Sequence, residues 1–147
     1  MKKKKPVFKS FDKFCDLFSL KIDDVVENRN NYYIITQRVR EIYETTEKKI
    51  FSAGEYLGSM KGKTFTPSFM LIDRAAKTSQ QKVKLDDKKM EWLFLCERDI
   101  FKKNINTTAK GYSIVTNSKD EVLGIGFVDD KNLLNVTDRG NFLRRER

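Results

Sequence analysis

The sequence contains no histidine. That removes the commonest general base, the commonest zinc ligand and every Ser-His or Cys-His nucleophile arrangement. Cysteine is scarce too. Cys15 and Cys96 lie 81 positions apart, match no metal-ligand spacing and suit a reduced intracellular compartment. No apolar run approaches the roughly 20 residues of a membrane-spanning helix. Met1 to Pro6 carries four lysines with no apolar stretch after them, so the start does not read as a secretory signal. No cofactor-binding motif is present, and neither a cofactor nor a small-molecule substrate is expected.

What the chain has instead is positive charge. Its 147 residues carry 30 Lys and Arg against 21 Asp and Glu, a formal net charge of +9, with a pI near 9.5. Divided at Lys77, the first part holds 16 basic and 10 acidic residues and the second 14 and 11. Both halves are basic, so neither neutralises the other. Such an excess favours a polyanionic partner, above all nucleic acid.

The periodicity predicts an α+β chain. Phe8, Phe11, Phe14, Cys15 and Phe18 recur at helical spacing after Ser10, a candidate cap. Val25 to Glu27 and Tyr32 to Thr36, around the Asn28–Asn31 turn, predict a hairpin. Val39 to Tyr43 reads as a third strand, and a helix is expected from Thr45 or Thr46 to Gly54. Strands are expected at Tyr56–Met60 and Ser68–Ile72. The polar stretch Asp73–Gln81 is the best domain boundary, as a short helix and hinge. Beyond it, Lys82–Leu85 predicts a strand and Asp86 a helix cap, with Met90, Leu93, Phe94 and Ile100 turned inward. Four short strands follow, at Gly111–Thr116, Glu121–Val128, Asn132–Val136 and Phe142–Arg144. That pattern suggests a small barrel.

Two glycine motifs invite nucleotide readings. Gly58-Ser59-Met60-Lys61-Gly62-Lys63-Thr64 nearly spells a phosphate-binding loop, but has three residues between its glycines where four are needed. Pro67 also follows where a helix should run. A basic hairpin turn is the better reading. Gly124-Ile125-Gly126 lies inside a strand pattern with no helix after it, which suits a bend or a close backbone approach better than a dinucleotide site. The pairs Asp23-Asp24, Asp86-Asp87 and Asp129-Asp130 sit at turns or caps and carry no metal signal.

The sharpest electrostatic feature is the C-terminus. Arg139, Arg144, Arg145 and Arg147 fall within nine residues of a chain that otherwise prefers lysine, 21 to 9. Arginine suits bidentate phosphate contact and base stacking. A second basic group, Arg98, Lys102 and Lys103, follows the helix of the same half.

The second half resembles the PUA domain, named for pseudouridine synthases and archaeosine transglycosylases. The likeness is carried by Lys82–Leu85, Phe94–Lys103, Val122–Phe127 and Thr137–Arg144. The first half, through Gly58, Gly62–Thr66 and Ser68–Leu71, looks like the companion domain of the Nip-seven ribosome-biogenesis family. The likeness runs from about Asn31 to Arg145. It departs at Cys96, where that family carries glycine, and at Thr137–Arg139.

The resemblance implies a small α/β N-terminal domain with an antiparallel sheet at residues 1–77; its first residues, 1–6, are expected to be a disordered tail because the four lysines have no apolar partners nearby. A mixed-β PUA-type barrel would follow at 78–147. It implies a non-enzymatic RNA-binding factor in large-subunit pre-rRNA processing. RNA would be contacted by Arg144 and Arg145, with Arg147 a weaker extension; Arg98, Lys102 and Lys103, whose spacings of four and five suit one face beside the barrel, are the second group of contacts that charge alone suggests. Ribosome-assembly proteins would dock on the N-terminal domain. The length points to an archaeal-like cytoplasmic form, with a nucleolar or nuclear location if the source is eukaryotic. The alternative is a PUA accessory protein that guides a separate methyltransferase or pseudouridine synthase.

Overall fold

Ser10 opens the first helix by accepting the Lys13 amide on its hydroxyl, 3.1 Å away, one of the orphan donors every helix start leaves. The helix, α1 (Phe11–Leu17), turns Phe11, Phe14 and Cys15 inward as its spacing predicts. The computed structural model describes residues 6–45 and 54–140. The lysines before Pro6, most of the expected Thr45–Gly54 helix and the expected Phe142–Arg144 strand lie outside them.

Strands β1 (Val25–Asn28) and β2 (Asn31–Ile34) form the expected hairpin. Its turn, Arg29 and Asn30, has both residues at positive φ, the twist-matched geometry of a two-residue loop. The third strand expected at Val39–Tyr43 is instead part of a helix, α2 (Gln37–Thr45). Thr36 starts it: its hydroxyl accepts the Val39 amide at 3.2 Å and its carbonyl accepts the Arg40 amide. Val39, Ile42 and Tyr43 are β-branched or aromatic, as strands favour, but their i, i+3, i+4 spacing is helical, and the cap agrees with the spacing.

Strands β3 (Glu55–Lys61) and β4 (Thr64–Pro67) complete an antiparallel sheet in the order β1-β2-β3-β4. Their two-residue loop is Gly62-Lys63, with Gly62 at φ 61°. The near-P-loop is therefore the basic hairpin expected. Gly58 serves packing: a side chain there would drive into the Phe65 ring and the Thr66 carbonyl.

The strand expected at Ser68–Ile72 is also overturned. Ser68 caps a helix, α3 (Phe69–Thr78), by accepting the Leu71 amide at 3.2 Å and donating to the Tyr56 carbonyl at 2.8 Å. Pro67 closes β4 immediately before it, where a rigid φ without an amide donor suits a strand end.

The second sheet is mixed and curls into a half-barrel. Its strands β5 (Lys82–Leu85), β6 (Ile100–Phe101), β7 (Gly111–Asn117), β8 (Val122–Val128) and β9 (Asn132–Asp138) take the order β5-β7-β8-β9-β6. Only β5 pairs in parallel, against β7. Helix α4 (Lys88–Leu95) is capped by Asp87, one residue later than expected. At Gly124 a side chain would collide with the Thr137 carbonyl, and the register shifts in the next step of β8. This is the close approach its sequence implied.

Two apolar clusters fill the molecule. One gathers Phe8, Phe11, Phe14, Phe18, Leu57, Phe65 and the buried side of α3 together with Ile114 and Ile125 of the second sheet. Phe14 is its centre, with ring centroids 4.9 Å from both Phe8 and Phe18. The other cluster packs α4 through Met90 and Phe94 against Val83, Leu85, Val115, Leu133 and Ile100. Alternation along β7 and β8 thus sends neighbouring residues into different cores.

The cysteines differ chemically. Cys15 is buried and Cys96 exposed. Burial, and then the carboxylates of Asp12 and Asp16, push the Cys15 thiol up to about 11. A disulfide reagent at pH 7 is therefore expected to label one thiol per folded chain, at Cys96, and two after denaturation. Counting released thiolate, with Cys96→Ser as control, checks this. Among the described residues no helix is long and apolar enough to cross a membrane.

Candidate nucleic-acid interface

Helix α4 ends in a turn that aims the first basic residue. The Arg98 amide donates to the Leu93 carbonyl at 3.0 Å and the Glu97 amide to the Phe94 carbonyl at 3.1 Å, the paired bonds of a Schellman motif. The left-handed residue this motif needs is Glu97, at φ 63°, while Cys96 sits at φ −95°, open to any side chain. A cysteine at this position therefore leaves the turn intact. Glu97→Gly should raise stability by about 0.5–1 kcal/mol, because glycine adopts this conformation without steric cost. Urea unfolding of the two proteins measures it.

Arg98, exposed, leads into the two-residue edge strand β6. There Ile100 is buried in the α4 cluster and Phe101 faces outward. Lys102 and Lys103 follow in a 3-10 turn. The Lys102 amide donates to the Lys131 carbonyl at 2.8 Å, which brings the β8–β9 turn alongside. That turn is fixed by the Asp129 carboxylate, which accepts the amides of Lys131 and Asn132 at 2.8 and 2.6 Å. The three basic residues expected to share one face thus lie on a single short segment, shaped by a helix end, a strand and a turn rather than by helical spacing. Lys131 joins them across the turn. Among the described residues, none of the four forms an ion pair; Arg98, Lys103 and Lys131 are exposed and Lys102 is half-buried.

A buried polar network locks the frame of this segment. Asn135, on β9, donates its side-chain amide to the Phe94 carbonyl at 2.7 Å and to the Asp138 carboxylate at 3.1 Å. Its backbone amide donates to Asp99 at 2.8 Å. Asp138 also accepts the Gly140 amide at 2.7 Å. One residue, through its side chain and its backbone amide, therefore ties the end of α4, the loop carrying Arg98 and the exit of the last strand together. Buried polar groups hold such geometry only when each finds its partners.

The C-terminal arginines divide. Arg139 pairs with Asp73 of α3 and lies over the Phe69 ring, 5.2 Å from its centroid. It joins the last strand to the first half of the chain. Arg144, Arg145 and Arg147, the remaining predicted contacts, lie outside the described residues. The last described residue, Gly140, packs against the Leu95 carbonyl, close to the turn that carries Arg98.

The sequence reading missed Phe101 and Lys131. An inward Ile100 reads in sequence as part of the helical stripe, which hides the alternation that turns Phe101 outward, and Lys131 reaches the site only through strand pairing.

A curled mixed sheet with one parallel edge strand and a helix plugging its open side is a PUA-type half-barrel. The family model described as the UPF0113 PUA domain matches residues 81–147, from the end of α3 through the arginine-rich terminus. The chain carries a PUA domain over that span, and this domain points to RNA as the partner. No curated protein matches the chain.

Proposed function

We propose that this protein is a non-enzymatic RNA-binding factor in ribosome biogenesis, acting on large-subunit pre-rRNA. The observation that carries the reading is the PUA domain at residues 81–147, with a basic segment, Arg98 to Lys103, on its edge whose cations form no ion pair among the described residues. The mechanism is binding. Arginine and lysine side chains neutralise phosphates and release counterions, while the half-barrel and its buried Asn135–Asp138 network hold those charges in a fixed array. The absence of histidine and the use of the glycine-rich segment as a hairpin favour a factor without catalysis. The ribosomal assignment rests on the resemblance to the Nip-seven family in both halves and in their order. On that assignment the first half docks assembly proteins and the protein works in the cytoplasm.

Crosslinking in cells followed by RNA sequencing tests the reading. Recovery of ribosomal precursors, with assembly factors in the same purification, supports it. Recovery of one modification enzyme and its substrate RNA would instead favour the accessory role.

A further inference from the structure

Phe101 is the outward-facing ring of the edge strand β6. It is 61% exposed, whereas its neighbour Ile100 is 2% exposed. Strand alternation sends Ile100 into the α4 cluster and Phe101 to the opposite side. No other ring packs on it among the described residues. The Lys103 ammonium lies 5.5 Å from the ring centroid. The ring thus stands at the edge of the sheet, inside the basic segment, with Arg98 before it, Lys102 and Lys103 after it and Lys131 held alongside.

We propose that Phe101 is a stacking site for one unpaired nucleobase, with Lys102, Lys103 and Lys131 neutralising the phosphates next to it. This rests on the RNA-binding reading above and sharpens it to single-stranded RNA. The chemistry is specific to that class. An exposed π-face accepts any flat base, and cations set around it suit the flanking phosphates. A duplex keeps its bases stacked within the helix, so the ring has nothing to stack on and only the cations can act. An acidic peptide would satisfy the lysines but leave the ring unused.

The test uses the full-length chain, a short unstructured RNA containing one 2-aminopurine, and a blunt RNA duplex of equal length. Phe101→Leu keeps apolar bulk without a π-face, Phe101→Ala removes both, and Phe101→Trp restores stacking. Circular dichroism follows the fold of each. Phe101→Leu and Phe101→Ala are expected to weaken single-strand binding by about tenfold and abolish the fluorescence quenching, with duplex binding unchanged. Phe101→Trp should recover both. Wild-type-like single-strand binding by Phe101→Leu overturns the stacking site while leaving the RNA reading standing. Equal losses on single strand and duplex also overturn it, since the ring would then only position the cations. If the wild-type chain binds neither RNA, both proposals fall.

Discussion

Phe14→Ala is expected to destabilise the whole chain by about 3–5 kcal/mol, the usual cost of truncating a fully buried phenylalanine. Phe14 has no solvent exposure and lies among Phe8, Phe18 and Phe65. That cluster extends to Ile114 and Ile125 of the second sheet, and α3 forms part of it. Further ties cross between the halves. The Tyr112 hydroxyl donates to the Val7 carbonyl at 3.0 Å, the Thr78 hydroxyl to the Phe18 carbonyl at 3.0 Å, and Arg139 pairs with Asp73. The cavity should therefore be felt far from its site. Trp92, the only tryptophan, lies on α4 in the second half and reports there. Urea unfolding followed by Trp92 fluorescence and by circular dichroism should give coincident transitions, both moved to lower urea by the substitution. A fluorescence transition that stays in place would show that the second half unfolds independently.

Removing the basic segment should change RNA binding rather than folding. Replacing Arg98, Lys102 and Lys103 by alanine is expected to flatten the log–log salt dependence by about two units. Each phosphate contact on a single strand contributes roughly 0.7. Stability should move by less than about 1 kcal/mol. Exposed surface substitutions cost little, and the Lys103–Phe101 contact is itself worth only about 0.5–1 kcal/mol at an exposed site. Arg144 and Arg145 replaced together should lower the slope by about 1.4 units. Titrating each protein with single-stranded RNA at several salt concentrations gives the slopes, and their ranking identifies the principal phosphate-binding group. Salt plots parallel to wild type in both variants would remove both groups from the interface.

Much of the local structure was legible because short-range chemistry fixes it. Ser10 and the phenylalanine spacing gave α1, the Asn28–Asn31 turn gave the first hairpin, and Gly62-Lys63 gave the second. The strands of the second sheet appeared nearly in full, since polar turns separate short alternating runs. The errors fell where two patterns coincide. Val39, Ile42 and Tyr43 combine the β-branched and aromatic types that strands favour with the i, i+3, i+4 spacing of a helix, and the continuous apolar run after Ser68 fits either. In each case the side chain at the cap, Thr36 or Ser68, settled the matter.

The site was only partly legible. Charge alone pointed to a polyanion, and the positions Arg98, Lys102 and Lys103 followed from counting. Their assembly did not. Arg98 is aimed by a Schellman turn at Glu97, and Lys131 arrives by a backbone hydrogen bond from the next hairpin. Arg139, one of a run of four arginines in the sequence, is taken up by Asp73, 66 positions earlier. The sequence by itself determined the charge, the element types that short-range spacing controls, and the resemblance to an RNA-binding module. Only the tertiary structure decided which cations stand unpaired and which ring faces water. Those properties depend on partners brought together by strand register and core packing, at separations that no local pattern encodes.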